Sequence, residues 1–570
     1  MSNQEISQVF RDFAKILEIK GDNPFRIRAY ERAAQNIEGL TEDIQKFARE
    51  ERLREIPGIG EDLERKIKEF LETGRIKAFQ ELKKRMPAGL LELVSIPSVG
   101  PKTARLLYEK LNIKNFAGLE KAIHKNKLGG IFGIKEKTIA NIAQGIELVK
   151  KGKERMTLLQ AMVVADEFIQ SLKALDDVKT ITSAGSLRRC KETVRDIDLL
   201  VISDHPQKIM DKFTSLPSVK EIIAKGPTKS SILTRDNVQL DCRVVKKNSF
   251  GAALLYFTGA KNFNIKLRQL SLRRGLKINE YGVFRKNKFI CGRTEEEIFK
   301  ILGLAFIEPE LREDTGEIEL ARGENALPEL IELKDIKGDL HVHSQWSDGN
   351  NTIEEMARAC MKRGYSYVAI TDHSQSLKVA RGLSITELKK KKNEIDRLNK
   401  KLKNFRILFG GEVDIDLNGD LDYKDEVLRN FDLVVAAIHS GFKQSQTQLT
   451  KRIIRACKNK HVHIIAHPTG RLWGTRDAYQ IDLEEILNVA RDTHTHLEIN
   501  TFPERLDLNS LHARGAKEKG VKLTLDTDAH ATEQLESMKL GVAVARRGWL
   551  SASCVINTLP LEGLLEELKK

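Results

Sequence analysis

Along the first 150 residues, apolar positions recur three and four apart: Val9, Phe13, Ile16 and Leu17, then Leu63, Ile67, Phe70 and Leu71. That spacing lays an apolar stripe along one face of a helix, so it predicts short amphipathic helices. Glycine-bearing turns at 58–60, 98–100 and 129–133 interrupt them. From 151 to about 320 helical stretches mix with β-rich runs such as Asp198-Leu-Leu-Val-Ile202 and Val238-Gln-Leu-Asp-Cys-Arg-Val-Val245. The chain turns acidic and irregular over 307–337, which reads as a linker. Beyond 338 short apolar runs at 367–371, 432–438, 463–466, 495–499 and 521–525 alternate with helical stretches. Alternation of this kind predicts a parallel sheet or barrel with functional residues at the C-terminal ends of its strands. The lysine-rich stretch 389–403 reads as the solvated face of one of those helices.

Composition narrows the class. At 570 residues several domains are expected, and 41% hydrophobic with 31% charged residues excludes collagen-like and disordered chains. No apolar run approaches the ~18 residues needed to span a bilayer, and the start lacks the basic and apolar regions of a secretory signal. The six cysteines, at 190, 242, 291, 360, 457 and 554, show no CxxC spacing and suit reduced thiols. The expectation is a cytoplasmic multidomain protein. A net charge of +15 favours a polyanionic partner through counterion release. Of thirteen histidines only His124 and His205 precede residue 340, so the C-terminal part runs different chemistry.

Two turns open alike, Ile56-Pro-Gly-Ile-Gly60 and Ile96-Pro-Ser-Val-Gly100, each followed by a helix. A single Gly-x-Gly is most simply an ordinary turn. Two copies forty residues apart resemble the helix–hairpin–helix motifs of DNA repair proteins and polymerases, with Gly58, Gly60, Gly100 and Lys102 gripping DNA phosphate. Glycine permits the tight hairpin and the helix start offers free N–H groups to an anion, so such binding ignores base sequence. Ile131-Phe-Gly-Ile134 reads as a plain turn.

Gly185-Ser186 follows an apolar β run, Arg188-Arg189 comes next, and Asp196-Ile-Asp198 lies seven residues beyond Arg189. Residues i and i+2 of a strand face the same way, so Asp196 and Asp198 are able to share metal ions. Asp241, in a second β run, would complete a two-metal site for nucleotidyl transfer. Gly185, Ser186 and Arg189 would hold a triphosphate through amide, hydroxyl and guanidinium.

On these residues the first ~317 positions resemble the family X DNA polymerases, the DNA polymerase beta type. The resemblance implies Asp196, Asp198 and Asp241 as metal ligands, with Ser186 and Arg189 on the triphosphate. Tyr256-Phe257-Thr258-Gly259 matches the family's Tyr-Phe-x-Gly signature and implies contact with the incoming sugar. Asn264 would then touch the incoming nucleotide and Arg268 the template side. The small N-terminal domain of this family can carry a lyase acting through a Schiff-base lysine. Lys66 matches that position and Tyr30 also matches, while other basic lyase positions are Asp62 and Ala78 here. Arg195 stands where the family has a small residue.

Nine ligand-type residues are spread over the C-terminal part: His341, His343, Asp348, His373, Glu412, His439, His467, Asp528 and His530. His-x-His and Asp-x-His place two ligands on one strand face or at its exit, and imidazole with carboxylate suits Mn²⁺, Zn²⁺ or Fe²⁺. Residues 338–570 resemble the polymerase-and-histidinol-phosphatase (PHP) domain, a distorted β/α barrel whose three-metal site activates water against phosphorus. All nine family ligands have a match. Arg471, near His467, is a candidate for a substrate phosphate. His461, His463, His494, His496 and His512 lack ligand context and read as structural.

Together these readings give a multidomain α/β chain. Residues 1–90 form a helical DNA-binding domain with one hairpin motif, 91–150 a second, 151–250 a nucleotidyltransferase palm and 251–317 a thumb. A linker at 318–337 leads into a distorted (β/α)7-type PHP barrel at 338–570. The implied activity is gap-filling synthesis in DNA repair with a metal-dependent 3′→5′ exonuclease, extending to abasic-site cleavage or removal of 3′-phosphates. The partners are gapped or primed double-stranded DNA and deoxynucleoside triphosphates, with no membrane and a monomer by default. Two Mg²⁺ or Mn²⁺ ions would serve the polymerase site and up to three Mn²⁺ or Zn²⁺ ions the PHP site. The rival readings are a template-independent nucleotidyltransferase, and a non-polymerising DNA-binding platform that carries a PHP nuclease.

Overall fold

The N-terminal helices follow the apolar spacing. They run Asn3–Lys20, Pro24–Glu38, Ile44–Arg49, Glu61–Thr73, Lys77–Lys84, Gly89–Leu93, Pro101–Leu111 and Phe116–His124. The molecule is described by a computed structural model over residues 3–38, 40, 44–84, 86–87, 89–94, 96, 99–125, 127–129, 138–139, 142–143, 155–323 and 327–569. The turn expected at 131–134 lies outside the described residues. The chain divides into two compact units: 1–154 with 218–223 and 233–238, and the remainder. Among the described residues no helix is long and apolar enough to cross a membrane.

In the first unit one core gathers Phe10, Phe13, Tyr30, Ile67, Phe70 and Phe79, with Phe13 stacked on Tyr30 at 4.3 Å. A second gathers Leu90, Leu93, Ile96, Val99, Leu107 and Leu119. Each hairpin motif contributes its isoleucine to a different core, Ile56 to the first and Ile96 to the second. Burial of such side chains, worth about 1.5–3 kcal/mol each, fixes the helix pair on either side of the turn.

The palm sheet contains β1 (Thr180–Ser183), β2 (Asp196–Ile202), β3 (Val219–Lys225), β4 (Lys229–Thr234) and β5 (Gln239–Val245), in the order β1-β2-β5-β4-β3. β1 runs antiparallel and β5 parallel to β2. A three-stranded antiparallel sheet follows over 277–291. The stretch read as a linker is built into the thumb core instead: Ile307, Leu311, Ile318 and Leu330 pack with Leu267, Phe299 and the distant Trp549. Its apolar residues come in short sets, Ile307 with Leu311 and Leu327 with Leu330, broken by acidic and glycine-bearing segments, which is why the pattern alone makes it a tether.

The barrel strands appear where the apolar runs predict them. β6 (Gly338–Val342), β7 (Tyr367–Ile370), β8 (Arg406–Asp414), β9 (Leu433–Ala437), β10 (Ile464–Ile465), β11 (His496–Asn500) and β12 (Leu523–Asp526) pair in chain order, all parallel. Val342 bridges Ala529 beyond β12, which brings the first and last strands together. The lumen holds Leu340, Tyr367, Leu408, Leu433, Val435 and Ile464, and Leu564 and Leu568 of the C-terminal helix cover one end. Functional groups are therefore left to the other end, where the strands finish.

Candidate active sites

The first site lies along β2 and β5. Their register sets Asp198 directly opposite Asp241, with Asp196 two residues earlier on the same face. Gly185 explains why the preceding turn needs glycine: its φ is +64°, and a Cβ there would sit 2.5 Å from Asp198 Oδ2. Ala184 N–H donates to Asp198 O at 2.8 Å, which ties the Gly185-Ser186 turn to the carboxylate strand. Burial first, then the charges of Asp196 and Asp241, push the Asp198 carboxyl up to about 7. Lys229 stands 3.2 Å from Asp241, and Arg195 3.6 Å from Asp196. Three crowded carboxylates, one of them keeping its proton until about pH 7, are a cradle that a divalent cation would neutralise.

The thumb side is equally ordered. Asn264 Nδ2 donates to Tyr256 O at 2.7 Å and Gly259 O at 2.9 Å, which holds the C-terminal end of the helix Phe250–Thr258. Arg243 lies over the Phe257 ring at 4.3 Å, and exposed Arg268 donates to Asn264 O. Arg189 is 9% exposed and already engaged: Nη1 donates to Thr258 O at 2.6 Å and Nε to Glu313 at 3.0 Å. Ser186 is half-buried beside it.

The hairpin turns differ in charge. Gly58 has φ +87°, and Gly60 caps Glu61–Thr73, whose first turn carries Glu61, Asp62 and Glu64. Carboxylates there compete with a phosphate for the helix start. Gly100 caps Pro101–Leu111, which has no acid in its first turn and exposes Lys102. Lys66 is buried and ion-paired with Asp62, its Nζ 5.9 Å from the ring centre of buried Tyr30.

The second site fills the open end of the barrel. Glu412 at the end of β8 is central: His373 Nδ1 lies 2.7 Å from its carboxylate, His467 Nε2 3.1 Å, His439 Nε2 3.2 Å, His341 Nε2 3.5 Å and His343 Nε2 3.6 Å. Asp528 lies 3.1 Å from His343, while Asp348 reaches His530 at 3.3 Å and His373 at 3.5 Å. All nine sequence-predicted residues therefore converge: eight fall in three groups, His343, Asp348, His373 and His530; His341, His343 and Asp528; His373, Glu412 and His439, and His467 joins through Glu412. His467 and Asp528 hold left-handed φ angles of +28° and +53°, backbone strain of the kind found at functional sites.

Protein partners alone leave this cluster incomplete. His341 Nε2, both ring nitrogens of His343, and His467 Nδ1 are buried without a hydrogen bond. Burial pushes His343 down to about 4 and His467 down to about 3, so both rings are neutral donors. Burial opposes the ionised form of Glu412, yet the surrounding histidines hold it well below the carboxylate range. Neutral imidazole and ionised carboxylate are the forms that ligate divalent metal ions.

Several groups that position the ligands escaped the sequence reading. Glu498 accepts from His341 Nδ1 at 2.7 Å, and Asp414 lies 3.2 Å from His439 Nδ1. Such partners fix which nitrogen faces the ion. Asp372 holds the ligand turn through Ser344 and Ser347, and buried Lys391 pairs with it at 2.8 Å. The lysine-rich helix face is thus not wholly solvated. A period-two signal was present for two further carboxylates, since Asp339 precedes His341 and Asp526 precedes Asp528 by two residues. Arg471 is not free for substrate: its guanidinium is taken by Glu192, Arg505 O and Leu506 O. Arg505 instead reaches the metal side, 3.5 Å from Asp528, with Nη1 buried and unpartnered.

Family models match in the order of these sites: a helix-hairpin-helix domain at 1–76, a SAM-like helix-hairpin-helix tandem at 90–147, the DNA polymerase beta thumb at 253–313 and a PHP domain at 339–502. Over its whole length the chain is 41% identical to the DNA polymerase/3'-5' exonuclease PolX of Bacillus subtilis (strain 168), covering 100% of both proteins. The chain belongs to the family X DNA polymerases that carry a PHP domain. Part of this family X polymerase is also 25% identical to DNA polymerase lambda of Rattus norvegicus, over 55% of the chain and 56% of that protein. Its C-terminal part is 31% identical to a "Probable phosphatase" of Thermoanaerobacter sp. (strain X514), over 39% of the chain and 89% of the relative.

Proposed function

We propose that this chain extends a primer 3′ end opposite a template base in short DNA gaps, and removes nucleotides from 3′ ends at a separate centre. The carrying observation is the coexistence of two donor sets on one chain: three carboxylates along β2 and β5, and nine imidazole and carboxylate side chains at the barrel mouth. Full-length similarity to a protein named as both polymerase and exonuclease supports it.

Asp196, Asp198 and Asp241 would hold Mg²⁺ or Mn²⁺, and the nine barrel ligands Mn²⁺ or Zn²⁺. Divalent ions so held acidify the attacking hydroxyl or water and neutralise charge developing on phosphate oxygens. Asp198 would hold its cation in the ionised form. The Gly185-Ser186 turn offers its amide and hydroxyl to the triphosphate, and Arg189 its guanidinium once released from Glu313. The helix end Tyr256–Gly259, braced by Asn264, lies against the sugar, and Arg268 faces the template strand. The Gly100–Lys102 helix start holds backbone phosphate, with the Gly58–Gly60 turn subordinate because of its acidic first turn. At the barrel, Glu498 and Asp414 orient His341 and His439, and Arg505 aims a free donor at the scissile phosphate. With Lys66 taken up by Asp62, the N-terminal domain serves DNA binding rather than a lyase step.

The test is one gel. A labelled primer on one-nucleotide-gapped DNA with Mn²⁺ should shorten without deoxynucleotides and gain one base with them. Asp198→Ala should abolish only extension and His343→Ala only shortening. If either variant loses both activities in a folded protein, the two-site assignment fails.

A further inference from the structure

The segment between the Gly185-Ser186 turn and the aspartates is held by the PHP domain at both ends. At one end Arg471 pairs with Glu192 at 2.9 Å, and Ser510 N–H donates to the same carboxylate at 3.2 Å. At the other, Arg547, which ends the helix Met538–Arg547, donates from Nη1 to Arg189 O at 2.7 Å and to Glu313 at 3.1 Å. Glu313 also accepts from Arg189 Nε at 3.0 Å and faces Lys191 at 3.6 Å. Three cations thus surround one carboxylate that is largely removed from water. Burial would raise that carboxyl, yet Arg547, Arg189 and Lys191 together hold it down at about 2. Cys190, between the pinned residues, adopts φ +53°, so the turn's shape depends on what holds it.

Arg189 is 9% exposed while its Nε is on Glu313, so reaching a triphosphate that arrives from solvent means leaving that carboxylate. Its release exposes Glu313 to loss of a partner, and a buried carboxylate tolerates that loss only while other cations remain beside it. Arg547 is the nearer of the two that remain. We propose that Arg547, a PHP-domain residue, is a positioning residue for nucleotidyl transfer: by neutralising Glu313 and fixing the Arg189 carbonyl, it lets the Arg189 guanidinium pass from Glu313 to the incoming triphosphate. This rests on the assignment of Arg189 to the triphosphate. It makes the nuclease domain part of the polymerase's nucleotide grip, with no contact between Arg547 and the nucleotide.

The test uses the full chain and one-nucleotide-gapped DNA, with KM for the deoxynucleotide and kcat measured separately, and Mn²⁺-dependent shortening of the same preparation as the folding control. Arg547→Gln should raise KM about tenfold, the order of one charge-assisted hydrogen bond, with kcat little changed and shortening intact. Arg547→Lys should recover part of the loss, because an ammonium reaches Glu313 without the guanidinium fork. Glu313→Gln should lower KM, and added to Arg547→Gln it should remove the increase. A KM unchanged in Arg547→Gln, or an increase that survives in the double variant, overturns the proposal. Where Arg547→Gln also loses shortening, Glu313→Gln alone decides, and an unchanged or raised KM overturns the proposal. Arg189→Ala separates the two layers: if it leaves KM unaltered, the triphosphate assignment itself is what falls.

Discussion

Lys391 offers the most demanding test of how the PHP centre is built. It is fully buried, and its ammonium is accepted by Asp372 Oδ2 at 2.8 Å, Ile370 O at 2.8 Å and Gly410 O at 3.1 Å. Asp372 in turn accepts from Ser344 and Ser347 and immediately precedes His373. Lys391→Met keeps most of the volume but leaves a buried carboxylate without its countercharge, a loss of about 3–5 kcal/mol. For a domain of this size each kcal/mol lowers Tm by about 2–4 °C, so the barrel transition should fall by roughly 10 °C. Shortening of a primer in Mn²⁺ should weaken with it, because the 344–348 turn carrying Asp348 hangs on Asp372. Primer extension at 25 °C should be spared. Adding Asp372→Asn removes the orphaned charge and should restore most of the stability. Thermal unfolding followed by tryptophan fluorescence or calorimetry, with both gel assays on the same samples, reads all of this. A Lys391→Met loss below about 1 kcal/mol would refute the reasoning, since no buried uncompensated carboxylate is that cheap.

Other outcomes follow from the same geometry. Asp198 sits near 7 without metal, so cation binding releases its proton; the affinity of the polymerase site for Mg²⁺ should rise with pH up to about 7 and level off above. Metal-free stability runs the opposite way: a carboxyl raised from 3.8 to about 7 makes its full contribution to folding below 3.8, and that contribution is lost as pH climbs to about 7. Calorimetric Mg²⁺ titration of the His343→Ala variant showing no pH dependence between 5.5 and 8 would contradict the crowding of the three aspartates. Arg505→Ala should slow shortening at least tenfold, the effect of losing a charge-assisted phosphate contact, and leave extension unchanged; equal rates would remove Arg505 from the site. Borohydride should trap little adduct between Lys66 and 5′-deoxyribose-phosphate DNA, because Asp62 occupies the amine; an abundant adduct lost in Lys66→Ala would reverse that reading.

Much of this protein was legible in the residues alone. Continuous apolar runs located the barrel strands and the Asp196–Ile202 strand, and helical spacing the N-terminal helices, because a burial pattern is written locally into side-chain order. The nine imidazole and carboxylate residues that converge at the barrel mouth, and the three aspartates, were legible for a related reason: metal-binding chemistry calls for particular atoms at strand ends, and few other residues supply them. Tertiary structure alone decided what depends on partners distant in sequence. It placed Glu498 behind His341, took Lys391 out of a run of solvated lysines, drew the acidic 307–323 stretch into the thumb core and turned Arg471 from substrate to Glu192. A charged side chain carries the same letter whether solvated or buried; only the packing around it sets its dielectric surroundings and its partner, and with them its role.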